Sequence, residues 1–96
     1  MSWLYAIQIG DSGPIKLGRS RSPKDRLKQL QVASPWVVKL LGVCEGNARQ
    51  ERDLHERFSE FRMEGEWFQN STEIQEFTKT LMDSSFLKCK PPPDFT

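Results

Sequence analysis

The sequence predicts a small α/β domain in which a three-stranded, mainly antiparallel sheet is flanked by three helices. Three features indicate this class: two alternating apolar runs around a glycine-containing loop, a later apolar and β-branched run, and three helix-start signals. A chain of 96 residues with 36% hydrophobic residues forms one core but not two. We therefore assign residues 1–87 to a single domain and residues 88–96, which contain three consecutive prolines, to an extended tail.

The first two strands are predicted at residues 3–9 and 14–19. They contain short apolar runs at residues 4–9 and 15–17, and the glycine- and proline-containing loop between these runs suits a β-hairpin. Alternation places Tyr5 on one face of the first strand and puts Lys16 and Gly18 together on one face of the second. A register that sets Tyr5 beside Lys16 would therefore bring a phenol and an ammonium group to one surface.

The first helix is predicted near residues 23–33, directly after the hairpin. Ser22 can accept a hydrogen bond from the first free backbone N–H groups, Pro23 suits the first helical position, and Asp25 lies in the positive first turn. The run at residues 36–44 is rich in apolar and β-branched side chains, which predicts a third strand that is buried on at least one face.

Two further helix starts are marked by capping-box patterns. Asn47 is followed three residues later by Gln50, and Asn70 is followed three residues later by Glu73. Apolar residues at helical spacing come after each start. Between the two helices, residues 66–68 are expected to pack as a short extended piece. These patterns predict helices near residues 47–62 and 72–84.

The charge distribution is more informative than the net charge of +1, which gives no global argument for nucleic-acid binding. Residues 16–28 are strongly basic with one acid among them, whereas residues 51–66 are rich in carboxylates. Such clustering predicts a phosphate path beside a metal-binding acid. The alternative is an ordinary solvated helix face. The predicted nucleic-acid-binding residues are Arg19, Arg21, Lys24 and Lys28.

The chain is expected to be a soluble, intracellular and cytoplasmic protein. Its N-terminus lacks the basic, long-apolar and small-residue pattern of a signal peptide, and no apolar run approaches the roughly 20 residues that cross a membrane. Cys44 and Cys89 lack metal-ligand spacing, which favours a reducing compartment, and a disulfide between them is the alternative. His55 is the one histidine, so a histidine-based metal cluster within one chain is excluded.

Several motifs of the chain resemble those of the GIY-YIG superfamily. The first two strands carry L-Y-A-I and I-K-L-G, and Arg26 follows eight residues after the second motif. Further on, E-R-D-L-H-E-R-F at residues 51–58 and G-E-W-F at residues 65–68 resemble the small phage and fungal branch of that superfamily. That branch is described as a DNA-binding domain and as a meiotically up-regulated gene domain. The resemblance covers residues 3–68.

The resemblance implies an endonuclease that hydrolyses DNA phosphodiester bonds with one divalent metal ion, Mg²⁺ or Mn²⁺. In that superfamily a helix glutamate holds the ion, and Glu51 matches this position. A hard cation there neutralises charge on the scissile phosphate and polarises the leaving oxygen. Tyr5 matches the first motif tyrosine, which activates or orients the attacking water. Arg26 matches the family arginine, whose planar fork suits phosphate oxygens.

Two positions depart from the superfamily pattern. Lys16 replaces the second motif tyrosine, and the asparagine often found after the metal glutamate has only Asn70 as a loose counterpart. A phenol has a pKa of about 10, so Tyr5 needs a neighbouring cation such as Lys16 to become a base at neutral pH. His55 lies one helical turn from Glu51 and is expected to carry a proton, to donate to a phosphate, or to hydrogen-bond within the helix packing.

Each of these residues also has a purely structural interpretation. Tyr5 in a strand can be a half-buried packing residue, and Gly18 can be a bend or the exit from a strand. Glu51 and His55 can be a one-turn surface pair of little energetic weight. Glu66 is either a second carboxylate of the site or a helix cap or arginine partner.

The sequence therefore predicts a DNA endonuclease, with two alternatives left open. One is a non-catalytic DNA-binding module of the same fold, and the other is a protein-interaction domain that uses the proline-rich tail or an aromatic surface. Without an appended specificity domain, the substrate would be found through the domain's own surface, through a homodimer or through a partner protein. No membrane partner is expected. The predicted catalytic residues are Tyr5, Lys16, Arg26, Glu51 and His55, with Glu51 as metal ligand.

Overall fold

The computed structural model describes residues 2–81. Its elements, in chain order, are β1 (Trp3–Ile9), β2 (Ile15–Ser20), α1 (Pro23–Ala33), β3 (Val38–Glu45), α2 (Ala48–Arg57), a 3₁₀ turn (Ser59–Phe61), β4 (Arg62–Glu64), β5 (Trp67–Phe68) and α3 (Thr72–Thr78). The predictions for Cys89 and for the tail at residues 88–96 fall outside the described residues. The predicted end of the third helix at residue 84 is wrong, because α3 ends at Thr78 and residues 79 and 80 form a turn. Of the helices in the described range, none is both long enough and apolar enough to cross a membrane.

The strands of residues 2–81 form one antiparallel sheet in the order β3-β1-β2-β5-β4. The α/β class with three helices is confirmed, but the prediction of three strands is incomplete. β4 and β5 form a second hairpin around Gly65, whose φ of +59° lies in the left-handed region that glycine adopts without strain. The short extended piece expected at residues 66–68 is observed as β5, but strands of three and two residues are too short for side-chain alternation to show that they join the sheet.

β1 lies inside the sheet and is covered on both faces. On one face, Tyr5 and Ile7 pack with Leu27 and Leu30 of α1. On the other face, Ala6 belongs to the cluster that is built with α2 and α3. A side chain below α1 and a side chain on α2 are therefore separated by the sheet, and they can meet only at an edge of a strand.

The start of α2 is fixed by the capping box that the sequence predicts. Asn47 Oδ1 accepts a hydrogen bond from the Gln50 N–H, and Gln50 Oε1 accepts one from the Asn47 N–H, both at 2.9 Å. Replacing Asn47 with alanine is expected to lower the free energy of unfolding by about 1 kcal/mol, because one helix-start N–H loses its acceptor. Urea denaturation measures this change. Asn47→Asp, which keeps the acceptor, is expected to retain most of the stability.

Two of the predicted helix caps are wrong in detail. Ser22 stands at the N-cap of α1, but its side chain makes no capping hydrogen bond, and its N–H donates instead to Ser20 Oγ at 2.9 Å. α3 is capped by the side chain of Ser71 rather than Asn70. The Asn70 amide donates to the Ser12 carbonyl at 3.0 Å, so it joins α3 to the β1–β2 loop instead.

Two predicted element boundaries also shift. β3 begins at Val38, two residues later than predicted, and Trp36 is 64% exposed. The side chains of Gln31 and Ser34 donate to the Trp36 carbonyl at 3.0 and 2.9 Å, which holds this residue in the loop after α1. α2 ends at Arg57, and the chain continues as a 3₁₀ turn rather than as helix to residue 62.

Candidate functional site

The candidate site lies at the edge of β2, at the point where β5 begins. β5 pairs with β2 opposite Ile15 and Lys16, and a further bond runs from the Leu17 N–H to the Glu66 carbonyl at 3.0 Å. α2 packs beside this edge, where the His55 ring contacts the Leu17 carbonyl. Side chains from β1, β2, α2 and the β4–β5 hairpin therefore meet in one place.

Gly18 makes room there for the Tyr5 hydroxyl. The two residues pair across β1 and β2, and a Cβ at Gly18 would lie 2.5 Å from Tyr5 Oη and 3.0 Å from Glu66 Oε1. Gly18 is thus a position within a strand where a β-carbon does not fit, and not a bend or a strand exit. Lys16 pairs with Ile7, so Lys16 shares the face of Tyr5 without lying directly beside it.

Three side chains of the types that can bind a metal ion converge on this edge. Glu51 and His55 of α2 and Glu66 of the β4–β5 hairpin each offer one ligand atom, and these atoms all lie within 4.8 Å of one another. Burial raises the pKa of Glu51, and the nearby Glu66 carboxylate raises it further. Two carboxylates held this close repel each other unless a proton or a cation lies between them.

Each of the two carboxylates has a basic partner. Lys16 Nζ lies 3.1 Å from Glu66 Oε1 and also sits over the Trp67 ring, 5.4 Å from its centroid. Arg19 Nε lies 3.7 Å from Glu51 Oε1. The predicted partner of Glu66 was an arginine or a helix end, and the observed one is Lys16. The site therefore combines acidic groups with cations that can face a phosphate.

The phenol of Tyr5 is strongly disfavoured as a phenolate. Tyr5 is 2% exposed, and burial together with Glu66 raises its pKa to about 12, although Arg26 acts in the lowering direction. The expectation that Lys16 would lower this pKa is wrong, because the Lys16 ammonium pairs with Glu66. At neutral pH the Tyr5 hydroxyl is therefore protonated and can donate a hydrogen bond.

His55 is held in one orientation by the strand edge. Its Nε2 lies 2.7 Å from the Leu17 carbonyl oxygen, and its ring contacts the Phe68 ring at a centroid distance of 5.3 Å. A carbonyl oxygen only accepts hydrogen bonds, so Nε2 carries the proton and donates it. In the neutral ring the lone pair is then on Nδ1, which is the atom able to take up a proton.

A family model described as the T5orf172 domain matches residues 2–82. The chain belongs to the T5orf172 domain family. The match includes all elements of the described fold and each site residue from Tyr5 to Glu66, so the site is part of the family domain. No significant match was found among curated proteins or among solved structures.

The other residues that the sequence predicted for nucleic-acid binding in this T5orf172 domain lie outside the group of carboxylates. Arg21 follows the end of β2 and lines a cavity next to Arg19. Lys24 and Lys28 lie on α1, with Lys28 exposed to solvent. Asn70 is not a counterpart of the family asparagine, because its amide is bound to the β1–β2 loop, away from the carboxylates.

The sequence left the roles of two contributors to the candidate site of this T5orf172 domain undecided. Glu66 was left between two interpretations because nothing local shows that the β4–β5 hairpin returns it to β2. Gly18 was interpreted as an ordinary strand break because its role depends on the register that puts it opposite Tyr5. The signal that would have identified both is their presence within the motifs I-K-L-G and G-E-W-F.

Proposed function

We propose that this T5orf172 domain is a GIY-YIG-like endonuclease that hydrolyses DNA phosphodiester bonds with a divalent metal ion. The observation that carries the proposal is the convergence of Glu51, His55 and Glu66 within 4.8 Å at the strand edge where the Tyr5 hydroxyl emerges beside Gly18. The T5orf172 domain is phage-associated and often occurs in nuclease contexts, which supports the same activity.

The donor set fits a hard divalent cation. Glu51 and Glu66 supply carboxylate oxygens from two different elements, and Mg²⁺ and Mn²⁺ prefer such ligands. Burial and the nearby Glu66 carboxylate raise the Glu51 pKa, and a bound cation relieves the repulsion between the two carboxylates. We assign Glu51 and Glu66 as the residues that hold the ion. Such an ion supplies neutralisation of the scissile phosphate and polarisation of the leaving oxygen.

Tyr5 and His55 act on the attacking water in this proposal. The raised pKa of Tyr5 keeps its hydroxyl protonated, so Tyr5 orients the water by hydrogen bonding instead of removing its proton. His55 is positioned through its Nε2–H bond to the Leu17 carbonyl and accepts the water proton at Nδ1. In this proposal Tyr5 therefore orients the water and His55 takes its proton, whereas the sequence gave the two residues overlapping roles.

Three cations surround the position of the phosphate. Arg26 lies on the first turn of α1 and is exposed, and its positive charge acts to lower the pKa of Tyr5. Arg19 and Lys16 lie at the two carboxylates. Guanidinium and ammonium groups at these positions stabilise the charge that develops on the phosphate oxygens in the transition state. We assign Arg26 the direct phosphate contact, because its own charge is not taken up by either glutamate in the described structure.

The test is a cleavage assay with labelled single- and double-stranded DNA in the presence of Mg²⁺, Mn²⁺ or EDTA. Cutting that requires the metal and is lost in EDTA supports the endonuclease. Salt-sensitive DNA binding without cutting under any of these conditions contradicts it and favours the non-catalytic DNA-binding module. Absence of both cutting and binding favours the protein-interaction domain.

Replacing Arg26 with lysine is expected to reduce the cleavage rate by about tenfold, because the charge is kept but the planar fork that matches phosphate oxygens is lost. Single-turnover cleavage kinetics measure the change. Arg52→Lys, at an exposed position of α2, is the matched control and is expected to cleave at the wild-type rate. Equal rates for wild type and both variants would remove Arg26 from the site.

A further inference from the structure

Arg19, which contacts Glu51, also lines a cavity that the candidate active site does not include. It is an open cavity of about 560 Å³, within the roughly 300–1,000 Å³ typical of small-ligand sites. Its walls come from the ends of three strands and the start of α2. The residues around it include Arg19, Arg21, Glu45, Gly46, Asn47 and Gln50.

The donors in this cavity exceed its acceptors. Arg19 and Arg21 contribute two guanidinium groups against the single carboxylate of Glu45. The amide oxygens of Asn47 and Gln50 are both used in the capping box, which leaves their NH₂ groups as the parts available to a ligand. The cavity therefore suits an anion with several acceptor oxygens, such as a phosphate.

The floor of the cavity is rigidly built. The Gly46 N–H donates to the Ser2 carbonyl at 3.1 Å, and the Ser2 hydroxyl donates back to the Gly46 carbonyl. A Cβ at Gly46 would lie 2.6 Å from Leu4 Cγ, so β1 and the β3–α2 junction are in close contact there. A ligand would meet a surface whose backbone is already fixed by these contacts.

Arg19 joins this cavity to the candidate active site. Its Nε lies 3.7 Å from Glu51 Oε1, and the same side chain lines the cavity. Arg21 comes two residues later, where β2 has ended, so the two guanidiniums follow one another along the direction in which β2 leaves the carboxylates. An anionic polymer that has one phosphate bound near Glu51 and Glu66 would therefore extend along β2 towards Arg21.

We infer that the cavity is a nucleotide subsite that holds the DNA residue next to the scissile phosphate, with Arg21 bound to the flanking phosphate. This inference rests on the proposed endonuclease function and specifies the path that the substrate strand takes. It also gives Arg19 a defined place between the two phosphates, in contact with both the site carboxylate and the cavity.

The test is DNA binding without cleavage. Fluorescence anisotropy of a labelled oligonucleotide in EDTA is measured from about 50 to 200 mM salt for the wild type, Arg21→Ala and Arg52→Ala. Arg52 is exposed on α2 and does not line the cavity, so the two variants make the same charge change at different places. Thermal melting of both variants verifies that they are folded.

Arg21→Ala is expected to weaken binding about threefold to tenfold and to make the log–log salt slope shallower by about 0.9 for duplex DNA, which corresponds to one lost phosphate contact. Arg52→Ala is expected to stay within about twofold of the wild type. Thymidine 5′-monophosphate is expected to shift the backbone amide resonances of Gly46 and Asn47. Equal weakening in both variants, or nucleotide-induced shifts that avoid these amides, would overturn the inference.

The outcome is separate from that of the endonuclease proposal. Metal-dependent cleavage by the wild type together with unchanged binding by Arg21→Ala overturns the subsite alone. Selective weakening by Arg21→Ala in a protein that never cleaves DNA supports the cavity as a nucleotide-binding site and contradicts the endonuclease.

Discussion

Replacing Glu51 with glutamine is expected to abolish metal-dependent DNA cleavage and to raise the melting temperature of the metal-free protein. The rate is expected to fall at least about a hundredfold, because an amide removes the formal charge with which Glu51 holds the ion. The cleavage assay with Mg²⁺ measures the first effect. Thermal melting in EDTA measures the second.

The stability gain follows from the raised pKa of Glu51. Burial and the Glu66 carboxylate make the Glu51 carboxyl bind its proton more tightly in the folded chain than in the unfolded chain. The stability that this group contributes is therefore present at low pH and is lost as the pH rises through the raised folded-state pKa. Glutamine does not ionise, so the loss at neutral pH disappears. The Arg19 contact, 3.7 Å long and at the surface, offsets little of this gain.

Changing the pH and adding the metal ion are two internal controls for the melting temperature of Glu51→Gln. The difference in melting temperature from the wild type is expected to be largest at neutral pH and to shrink towards the usual glutamate pKa. Mg²⁺ or Mn²⁺ is expected to raise the melting temperature of the wild type and to have much less effect on the variant. Glu56→Gln, an exposed change on the same helix, is expected to alter neither cleavage nor melting. A lower melting temperature for Glu51→Gln at neutral pH would contradict the assignment of a repelling carboxylate pair.

The expected loss of activity and the expected gain in stability have the same cause. Glu51 and Glu66 are kept close by α2 and the β4–β5 hairpin although their charges repel, so folding energy is used to hold two like charges together. Lys16 moderates the repulsion from the Glu66 side at 3.1 Å. Lys16 therefore lowers the repulsion between the carboxylates, whereas its predicted effect was to lower the pKa of Tyr5.

The elements that could be predicted from the sequence are those with local signals. The β1–β2 hairpin has alternation and a turn loop, α1 has Pro23 at its start, and α2 has the Asn47 capping box, and all of these elements are observed. The start of β3 was placed two residues early because Trp36 continues an apolar run. The strand begins only where pairing with the end of β1 at Ile9 allows it.

The parts of the site that could not be predicted depend on contacts between distant segments. The register sets Tyr5 opposite Gly18, and no local pattern determines register when both faces of a strand are buried. The direction of the Tyr5 pKa shift depends on burial and on Glu66, which lies 61 residues away in the chain (66 − 5). The motif residues themselves were found through their resemblance to a family, and the chemistry of each required the fold.

Replacing Gly18 with alanine is expected to reduce cleavage by about a hundredfold and to destabilise the fold by about 1–3 kcal/mol. The added Cβ would lie 2.5 Å from Tyr5 Oη and 2.7 Å from Tyr5 Cζ. The Tyr5 ring is fully buried, so it cannot swing aside without disturbing the packing below α1. Urea denaturation and the cleavage assay measure the two effects.

The sign of the stability change separates two explanations for this glycine. The φ of Gly18 is not in the left-handed region, so its backbone conformation is open to alanine. In an uncrowded strand, Gly→Ala is expected to stabilise a protein by about 0.4–1 kcal/mol through the unfolded state. A destabilised Gly18→Ala therefore means that the position is occupied by a neighbouring group, and a stabilised one means that it is not.

A double-mutant cycle identifies that neighbouring group. Tyr5→Val removes the ring and hydroxyl but keeps a residue that suits a strand, so in this background the Cβ at position 18 loses its two closest contacts and keeps the one to Glu66 Oε1 at 3.0 Å. The stability cost of Gly18→Ala is then expected to fall by about 1 kcal/mol or more relative to its cost in the wild type. If the cost is the same in both backgrounds, Gly18 does not act by admitting the Tyr5 hydroxyl. In that case Gly18 is not what lets the phenol reach the strand edge beside the carboxylates, and the role of Tyr5 is to pack in the core.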